Sequence, residues 1–328
     1  MIMKHISLLV PKGDASLSNL EATHKMFTMA NQTLEKMGHA PLFKVQLVAM
    51  DNEIQKCYGI FSVQPDATIE EITKTDLIMI PAVHGDSKKV MRDNARFIPW
   101  INKHYQDGAE VASFCIGAFL LAATGLLDGK SCATHWLSAD DFKKMYPQVN
   151  LLDDKILTDE NGIYTSGGAY SSLNLNLYLI EKYAGRELAV LSSKIFELDI
   201  SRASQSPFIM FKGQKSHEDK EILDVQMYIE KNYDKKLLVD ELCENIAVSR
   251  RTFERRFKGA TSNTVIEYIQ RVRIEAAKKA LEGQQAGVNE VMYAVGYNDP
   301  KAFRTVFKKI TGLTPLDYQQ KFMGNMVA

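Results

Sequence analysis

Ser249-Arg250-Arg251-Thr252-Phe253-Glu254-Arg255-Arg256-Phe257-Lys258 sorts its side chains by kind once it is wound into a helix. Phe253 and Phe257 fall one turn apart on one face, and Arg251, Arg255 and Lys258 gather nearly opposite. Ser249 suits the N-cap, where its hydroxyl accepts from a free backbone N–H, so the helix is expected to begin at Arg250. Alone, the segment also reads as an ordinary surface helix with two buried aromatics and a solvated charged face. The same layout returns fifty residues later, in Asp299-Pro300-Lys301-Ala302-Phe303-Arg304-Thr305-Val306-Phe307-Lys308. Phe303 and Phe307 correspond to Phe253 and Phe257, Lys301 to Arg251 and Lys308 to Lys258, which makes this an internal repeat. Asp299 suits the cap, and Pro300 loses nothing at a first helical position whose N–H has no partner anyway. A short apolar-periodic helix precedes each unit, Val239/Leu242/Ile246 and then Val288/Val291/Val295, across a turn of three or four residues. Gly296 supplies a positive φ in the second turn. Two helix-turn-helix units are expected.

Double-stranded DNA gives a reason for two such units. A helix about 10–12 Å across fits the major groove, and successive grooves on one face of B-DNA recur every ~34 Å. Between the units, Asn263 to Gly283 reads as one long helix with Val265, Ile269, Val272, Ala276 and Ala280 inward, a strut able to hold two recognition helices apart. Arg250, Arg251, Arg255, Arg256 and Lys258 on the first helix, with Lys301, Arg304, Thr305 and Lys308 on the second, are the candidate contacts to base edges and phosphates. Arginine suits guanine because its planar fork donates twice, to O6 and N7.

From about Asp219 to Phe322 the chain resembles the DNA-binding domain of the AraC/XylS family of transcription regulators. The resemblance is carried by Val248-Ser249-Arg250-Arg251, Arg255-Arg256-Phe257, Arg273 and Ala277 in the strut, Val295-Gly296-Tyr297 with Asp299, Phe303 and Phe307, and Thr311-Gly312-Leu313-Thr314-Pro315-Leu316-Asp317-Tyr318. Two positions depart from the family pattern. Thr305 stands where an arginine is usual, with Arg304 one position earlier, and Ser262-Asn263-Thr264 lacks the Pro common after the first unit.

The 328 residues, 45% of them apolar, suffice for two domains. No run of 18 uncharged apolar residues occurs, and Met1-Ile2-Met3-Lys4-His5 leads straight into a strand, so a soluble cytoplasmic protein with no membrane association is expected. Cys57, Cys115, Cys132 and Cys243 lack the short paired spacings of a disulfide framework or zinc site. His5, His24, His39, His104 and His217 show no metal-ligand spacing either, and neither metal nor cofactor is expected. The net charge of zero hides an asymmetry. Residues 245–328 carry 14 Lys+Arg against 7 Asp+Glu, leaving 26 against 33 upstream. Positive charge is thus concentrated where phosphates would be met, although it also suits a solubilised surface.

Upstream, strands alternate with helices, which indicates a parallel sheet covered on both faces. Strands are expected at His5–Val10, Phe43–Met50, around Tyr58–Val63, at Leu77–Pro81 as the central strand, and at Glu110–Phe114. Helices are expected after a loop over Pro11–Ser16 as far as Lys36, over Ala67–Thr73, from Ser87 to His104, over Ser171–Arg186 and over Glu187–Leu198. Ala112-Ser113-Phe114-Cys115-Ile116-Gly117-Ala118 runs a strand directly into a helix, with Cys115 at the corner and a small residue two positions on, the layout of a nucleophile elbow. A helix N-terminus lowers a thiol pKa, which makes Cys115 a candidate nucleophile. Asp14, His84 and Gly85 are expected at the same carboxyl edge of the sheet, where open parallel sheets bind ligands, or else in local turn hydrogen bonds. Gly167-Gly168 permits a close backbone approach there, or simply closes a turn.

Leu126-Leu127-Asp128-Gly129-Lys130, Thr134-His135-Trp136 and Ile163-Tyr164-Thr165-Ser166-Gly167-Gly168-Ala169 resemble the DJ-1/PfpI (class I glutamine amidotransferase-like) domain, in the version some AraC-family regulators carry at their N-terminus. The resemblance implies a flavodoxin-like α/β domain over 1–198 that senses a ligand and pairs subunits, a linker over 199–218, and an all-α AraC-type domain over 219–328. In protease and amidase members a His follows the Cys; here that residue is Ile116. A catalytic thiol needs a base within hydrogen-bond reach, and His135 is the candidate that folds back toward it. Cys115 is therefore read as part of a ligand or redox-sensing pocket, with a Cys-dependent hydrolase and a simply packed cysteine as the other readings. The pocket is assigned to Asp14, His84, Gly85, Cys115, His135 and Gly168. The expected whole is a homodimeric transcription regulator that binds double-stranded DNA under control of a small-molecule effector, with RNA polymerase as a further partner. Within the linker, Ser206-Pro207-Phe208-Ile209-Met210-Phe211 is too apolar for a free tether and is expected to dock on one of the domains.

Overall fold

Leu77-Ile78-Met79-Ile80 are all fully buried, as a wholly apolar strand must be when both faces of a parallel sheet are covered. The computed structural model describes residues 2–168, 170–244, 246, 248–283 and 287–323. Ala169 of the Gly-Gly-Ala run and the end of the expected 219–328 domain lie outside them. The chain divides into two compact units, Met1–Gln205 and Ser206–Ala328, within the segment expected as a linker.

The first unit runs β1 (Lys4–Leu9), β2 (Asp14–Ala15), α1 (Leu17–Lys36), β3 (Phe43–Ala49), β4 (Gln55–Cys57), β5 (Phe61–Val63), β6 (Ala67–Thr68), β7 (Leu77–Ile80), β8 (Val83–His84), α2 (Ser87–Asp93), α3 (Phe97–Gln106), β9 (Glu110–Phe114), α4 (Ala118–Ala122), β10 (Ser131–Cys132), α5 (Ala139–Met145), β11 (Asn150–Leu151), β12 (Leu157–Glu160), β13 (Ile163–Ser166), α6 (Ser171–Ala184) and α7 (Arg186–Ile195). Seven strands form the main sheet in the order β12-β13-β9-β7-β1-β3-β6. Every pairing is parallel except β12 with β13. The period of two sends Ile6, Leu8, Met79, Ala112 and Phe114 to one face, against Phe27 of α1 and Leu177 of α6. Leu9, Ile78, Ile80 and Val111 go to the other, against Phe97, Ile101, Phe119 and Phe142.

Two helices expected from the sequence fold differently. Ala67–Thr73 is not helical: Ala67 and Thr68 pair with Val48 and Ala49 as the last strand of the sheet, and Glu71 closes the following turn by accepting from the backbone and hydroxyl of Thr68. Ser87–His104 breaks into α2 and α3 around Asn94, a fully buried residue whose side chain binds both the N–H and the C=O of Lys12. Pro99 explains the break. In the first turn of α3 its missing N–H costs nothing, whereas in an unbroken helix it would remove a bond and clash with the preceding turn.

The second unit holds α8 (Lys220–Lys231), α9 (Val239–Glu244), α10 (Arg250–Thr261), α11 (Val265–Gly283), α12 (Val288–Ala294), α13 (Pro300–Thr311) and α14 (Pro315–Phe322). The internal repeat runs deeper than its two helices. Phe253–Phe257 and Phe303–Phe307 both stack at 5.7 Å, and Phe257–Tyr268 and Phe307–Tyr318 both meet edge-on at 5.4 Å. Buried Thr261 and Thr311 each donate to the carbonyl four residues back, Phe257 and Phe307. The Tyr268 and Tyr318 hydroxyls donate to Glu230 and Glu282. Ser249 and Asp299 stay outside their helices as caps, and the second turn, 295–299, is therefore longer than three or four residues. The strut changes its buried face along its length: Val265, Tyr268, Ile269 and Val272 serve the first core, while Ile274, Ala277 and Leu281 serve the second. Ala276 and Ala280, expected inward, are only partly buried, because one rotating helix has to face two cores.

Candidate functional site

On α10 the Ser249 hydroxyl accepts from the N–H of Thr252, which starts the helix where the sequence places it. Burial of Phe253 and Phe257 then turns Arg251, Arg255 and Lys258 outward, and all three are exposed. On α13, Asp299 caps through the N–H of Lys301, Pro300 opens the helix, and Lys301, Arg304, Thr305 and Lys308 are exposed. None of these six cationic side chains forms an ion pair with a described residue. Cations that are exposed, unpaired and on one side of a helix are available to phosphates and base edges. The Thr305 hydroxyl is different, donating to the carbonyl of Lys301 at 2.8 Å.

Two of the expected DNA contacts are engaged within the protein. Arg256 is half-buried and forms a two-pronged bond to Asp219, Nε to Oδ2 at 3.0 Å and Nη2 to Oδ1 at 2.6 Å, with Nη1 2.7 Å from Glu221. It fastens α10 to the start of α8, because its helical phase carries it to the side of the helix that packs, away from Arg251, Arg255 and Lys258. Arg250 is exposed but lies between Asp240 and Glu254, 3.0 Å from each.

In the first unit the elbow is present. Cys115 has φ +54, a left-handed backbone that a side chain adopts only when its surroundings impose it. Gly117 permits the turn, since a Cβ there would lie 2.7 Å from the carbonyl oxygens of Ile80 and Pro81. The thiol, however, is buried, and burial pushes it up to about 11, with the Ile116 N–H pulling weakly the other way. The expected lowering does not occur, because desolvation of a thiolate outweighs the dipole of a short 3-10 turn leading into the five-residue α4.

Asp14, His84, Cys115, His135 and Gly168 do come to one sheet edge. β2 pairs Asp14 with His84, the Thr134 hydroxyl donates to the Cys115 carbonyl at 2.8 Å, and a Cβ on Gly168 would stand 3.8 Å from the His135 ring. Asp14 is occupied in accepting from the N–H of Tyr58 at 2.7 Å. His135 accepts through Nδ1 from the N–H of Leu137, and no hydrogen bond joins it to Cys115. Burial first, and then neighbouring His84, hold the His135 imidazole below its usual range. A cavity of about 260 Å³ opens beside them, lined by His84, Gly85, Ile116, Gly117, Ser138 and Asp141; of the expected pocket residues His84 and Gly85 line it, whereas Asp14, Cys115, His135 and Gly168 do not. A larger one of about 830 Å³ lies along α1 and β5, remote from the elbow. The smaller sits at the carboxyl ends of the strands, beside the strained backbone, the place where open parallel sheets bind ligands. Among the described residues no cluster of His, Cys, Asp or Glu is arranged to hold a metal. No helix among them is long and apolar enough to cross a membrane.

The geometry agrees with what the chain is similar to. The helix-turn-helix domain pattern matches residues 242–321, and that of the DJ-1/PfpI family matches residues 21–182. The HTH-type transcriptional regulator CdhR of Pseudomonas aeruginosa is 27% identical over 278 residues, covering 84% of this chain and 82% of that one. An HTH-type transcriptional regulator of Pseudoalteromonas carrageenovora is 35% identical over 130 residues, 40% of this chain and 75% of the relative. The chain belongs to the AraC-type helix-turn-helix transcriptional regulators. Its first unit has the fold of a crystal structure described as a putative transcriptional regulator from Vibrio parahaemolyticus, with TM-score 0.53 and 21% identity over 59% of this chain and 98% of that one. It is thus an AraC-type DNA-binding regulator fused to a DJ-1/PfpI domain.

Two residues of this regulator that pack against the expected site residues are missed by the sequence reading. Tyr58 holds a left-handed backbone with φ +52 and sets its ring 6.0 Å from that of His84; the Tyr58-Gly59 turn was the available signal. Gln205 is buried, and its amide donates to the carbonyls of Thr134, Asp153 and Lys155 while accepting from the N–H of Gly168. The close approach that Gly167 permits is made by this side chain, which a Cβ there would meet at 2.8 Å. Nothing in a polar, aperiodic stretch marks Gln205 in advance.

Proposed function

We propose that this is a cytoplasmic, sequence-specific regulator in which α10 and α13 enter neighbouring major grooves of one duplex. Arg251, Arg255 and Lys258 on one helix, and Lys301, Arg304, Thr305 and Lys308 on the other, divide between base edges and phosphates. The first unit binds a small-molecule effector at the His84/Gly85/Ile116 cavity, pairs two subunits, and leaves RNA polymerase to be met from the DNA-bound state. An effector with equal affinity for both states shifts nothing, so its site has to differ between DNA-competent and incompetent forms. Residues 199–205 are the segment through which that difference reaches the second unit.

The observation that supports this reading is the repetition, fifty residues apart, of exposed cations without an ion pair to a described residue over a buried aromatic pair. Catalysis is not part of it: Ile116 follows Cys115, the thiol is held protonated by burial, and the neighbouring histidine is tied to a local turn. The test is fluorescence anisotropy on a duplex enriched from random sequence by the purified full-length protein. Arg251→Ala and Lys301→Ala should each weaken binding on specific and random DNA alike and lower the salt slope by about one. Affinity unchanged in both variants contradicts the reading. Cys115→Ala should leave DNA binding and its response to effector intact, and loss of a measurable turnover in that variant points to an enzyme instead.

A further inference from the structure

The repeat relates the two recognition helices residue by residue, and one equivalence is unequal in chemistry. Arg255 lies between Arg251 and Lys258 on the outward stripe of α10; Thr305 holds the same place between Lys301 and Lys308 on α13. Both are exposed. A base edge that meets a guanidinium fork on the first helix meets a short branched side chain on the second. The hydroxyl proton of Thr305 is committed to the Lys301 carbonyl, which turns the oxygen back along the helix and leaves the γ-methyl as the outward group. Ala302, one turn earlier and also exposed, adds a second small side chain, so α13 can approach the bases closely while Lys301, Arg304 and Lys308 reach past it to phosphates. Thymine alone among the four bases presents a methyl group in the major groove.

We propose that Thr305 makes α13 a thymine reader, packing its γ-methyl on the thymine 5-methyl, so that the two halves of the binding site differ in kind: polar readout by Arg255, apolar readout by Thr305. This rests on α13 being a groove helix. The experiment starts from the duplex enriched by the full-length protein and replaces its thymines one at a time by deoxyuridine, which lacks only the methyl. One replacement in the α13 half is expected to weaken binding about fourfold, the effect of one buried methyl. Thr305→Ser should bind thymine and deoxyuridine alike at that position, and Thr305→Arg should exchange the thymine preference for guanine. If every deoxyuridine is silent while Arg255→Ala still weakens binding, thymine reading is wrong and the groove assignment stands. If no sequence is enriched, or Arg255→Ala and Lys301→Ala both bind as the parent protein does, the groove assignment itself falls and this proposal with it.

Discussion

Arg255 and Arg256 are adjacent in the chain and have opposite surroundings, one exposed and unpaired, the other held by Asp219 and Glu221. Arg255→Ala is expected to cost about 1–3 kcal/mol on the enriched duplex and to relax preference at one base position. An equal loss on random DNA would make Arg255 a phosphate contact. Arg256→Ala should instead lower the urea midpoint of the second unit, because it removes the bonds to Asp219 and Glu221, while leaving the DNA affinity of the folded unit unchanged. Its charge-assisted bonds also hold the Asp219 carboxyl below the usual range. A carboxylate depressed in the folded state adds stability above its unfolded pKa and loses it as pH falls through the folded one, so this contribution disappears only in acid. The sequence places five cations on one helix but cannot separate these two, because the partner of Arg256 lies 37 residues upstream on another helix. Cys115 shows the same limit: its corner position is legible, whereas the burial that raises its thiol depends on elements far along the chain.

Among the elements, the starts of α10 and α13 were legible to the residue, because caps and apolar spacing are local properties. The strut was legible as a helix but not in its facing, since the switch from Val272 to Ile274 reflects two cores that a single periodic stripe does not encode. The segment after α7 was least legible. Its last residue, Gln205, satisfies three carbonyls and an N–H with one buried amide, whereas Ile209 and Phe211 bond to Lys278 and Glu275 of α11. Gln205→Ala should strip these groups of that partner, at about 1–3 kcal/mol for each one that water does not reach. It is expected to speed amide exchange at 134, 168 and 199–205 without changing affinity for DNA in the absence of effector. Unchanged exchange there means that the amide does not hold the segment.

At the scale of the whole molecule the two units differ in what acid does to them. In the first, burial holds the imidazole of His104 below its usual value, reinforced by Lys103, and burial with His84 does the same to His135. A histidine depressed in the folded state binds fewer protons there than in the unfolded chain between the two pKa values. Stability is therefore full above about pH 6.5 and falls as pH drops below it. Thermal melts between pH 7.5 and 5 should show the first unit losing Tm while the second holds, and His104→Gln should flatten that loss even as it lowers Tm at neutral pH. A pH-independent melt of the first unit over this range contradicts the assignment. Function at this scale rests on α11, which at 19 residues is about 28 Å long and carries one core at either end. In the proposed function, two recognition helices so mounted meet two grooves on one face of a duplex. Inserting five base pairs between the two recognised segments turns the second groove to the far side of the DNA. Affinity for that duplex should fall to that of a single half-site, and insertion of five more should leave it equally weak, since the strut cannot lengthen. Undiminished binding to the five-base-pair insertion would contradict simultaneous engagement of both helices.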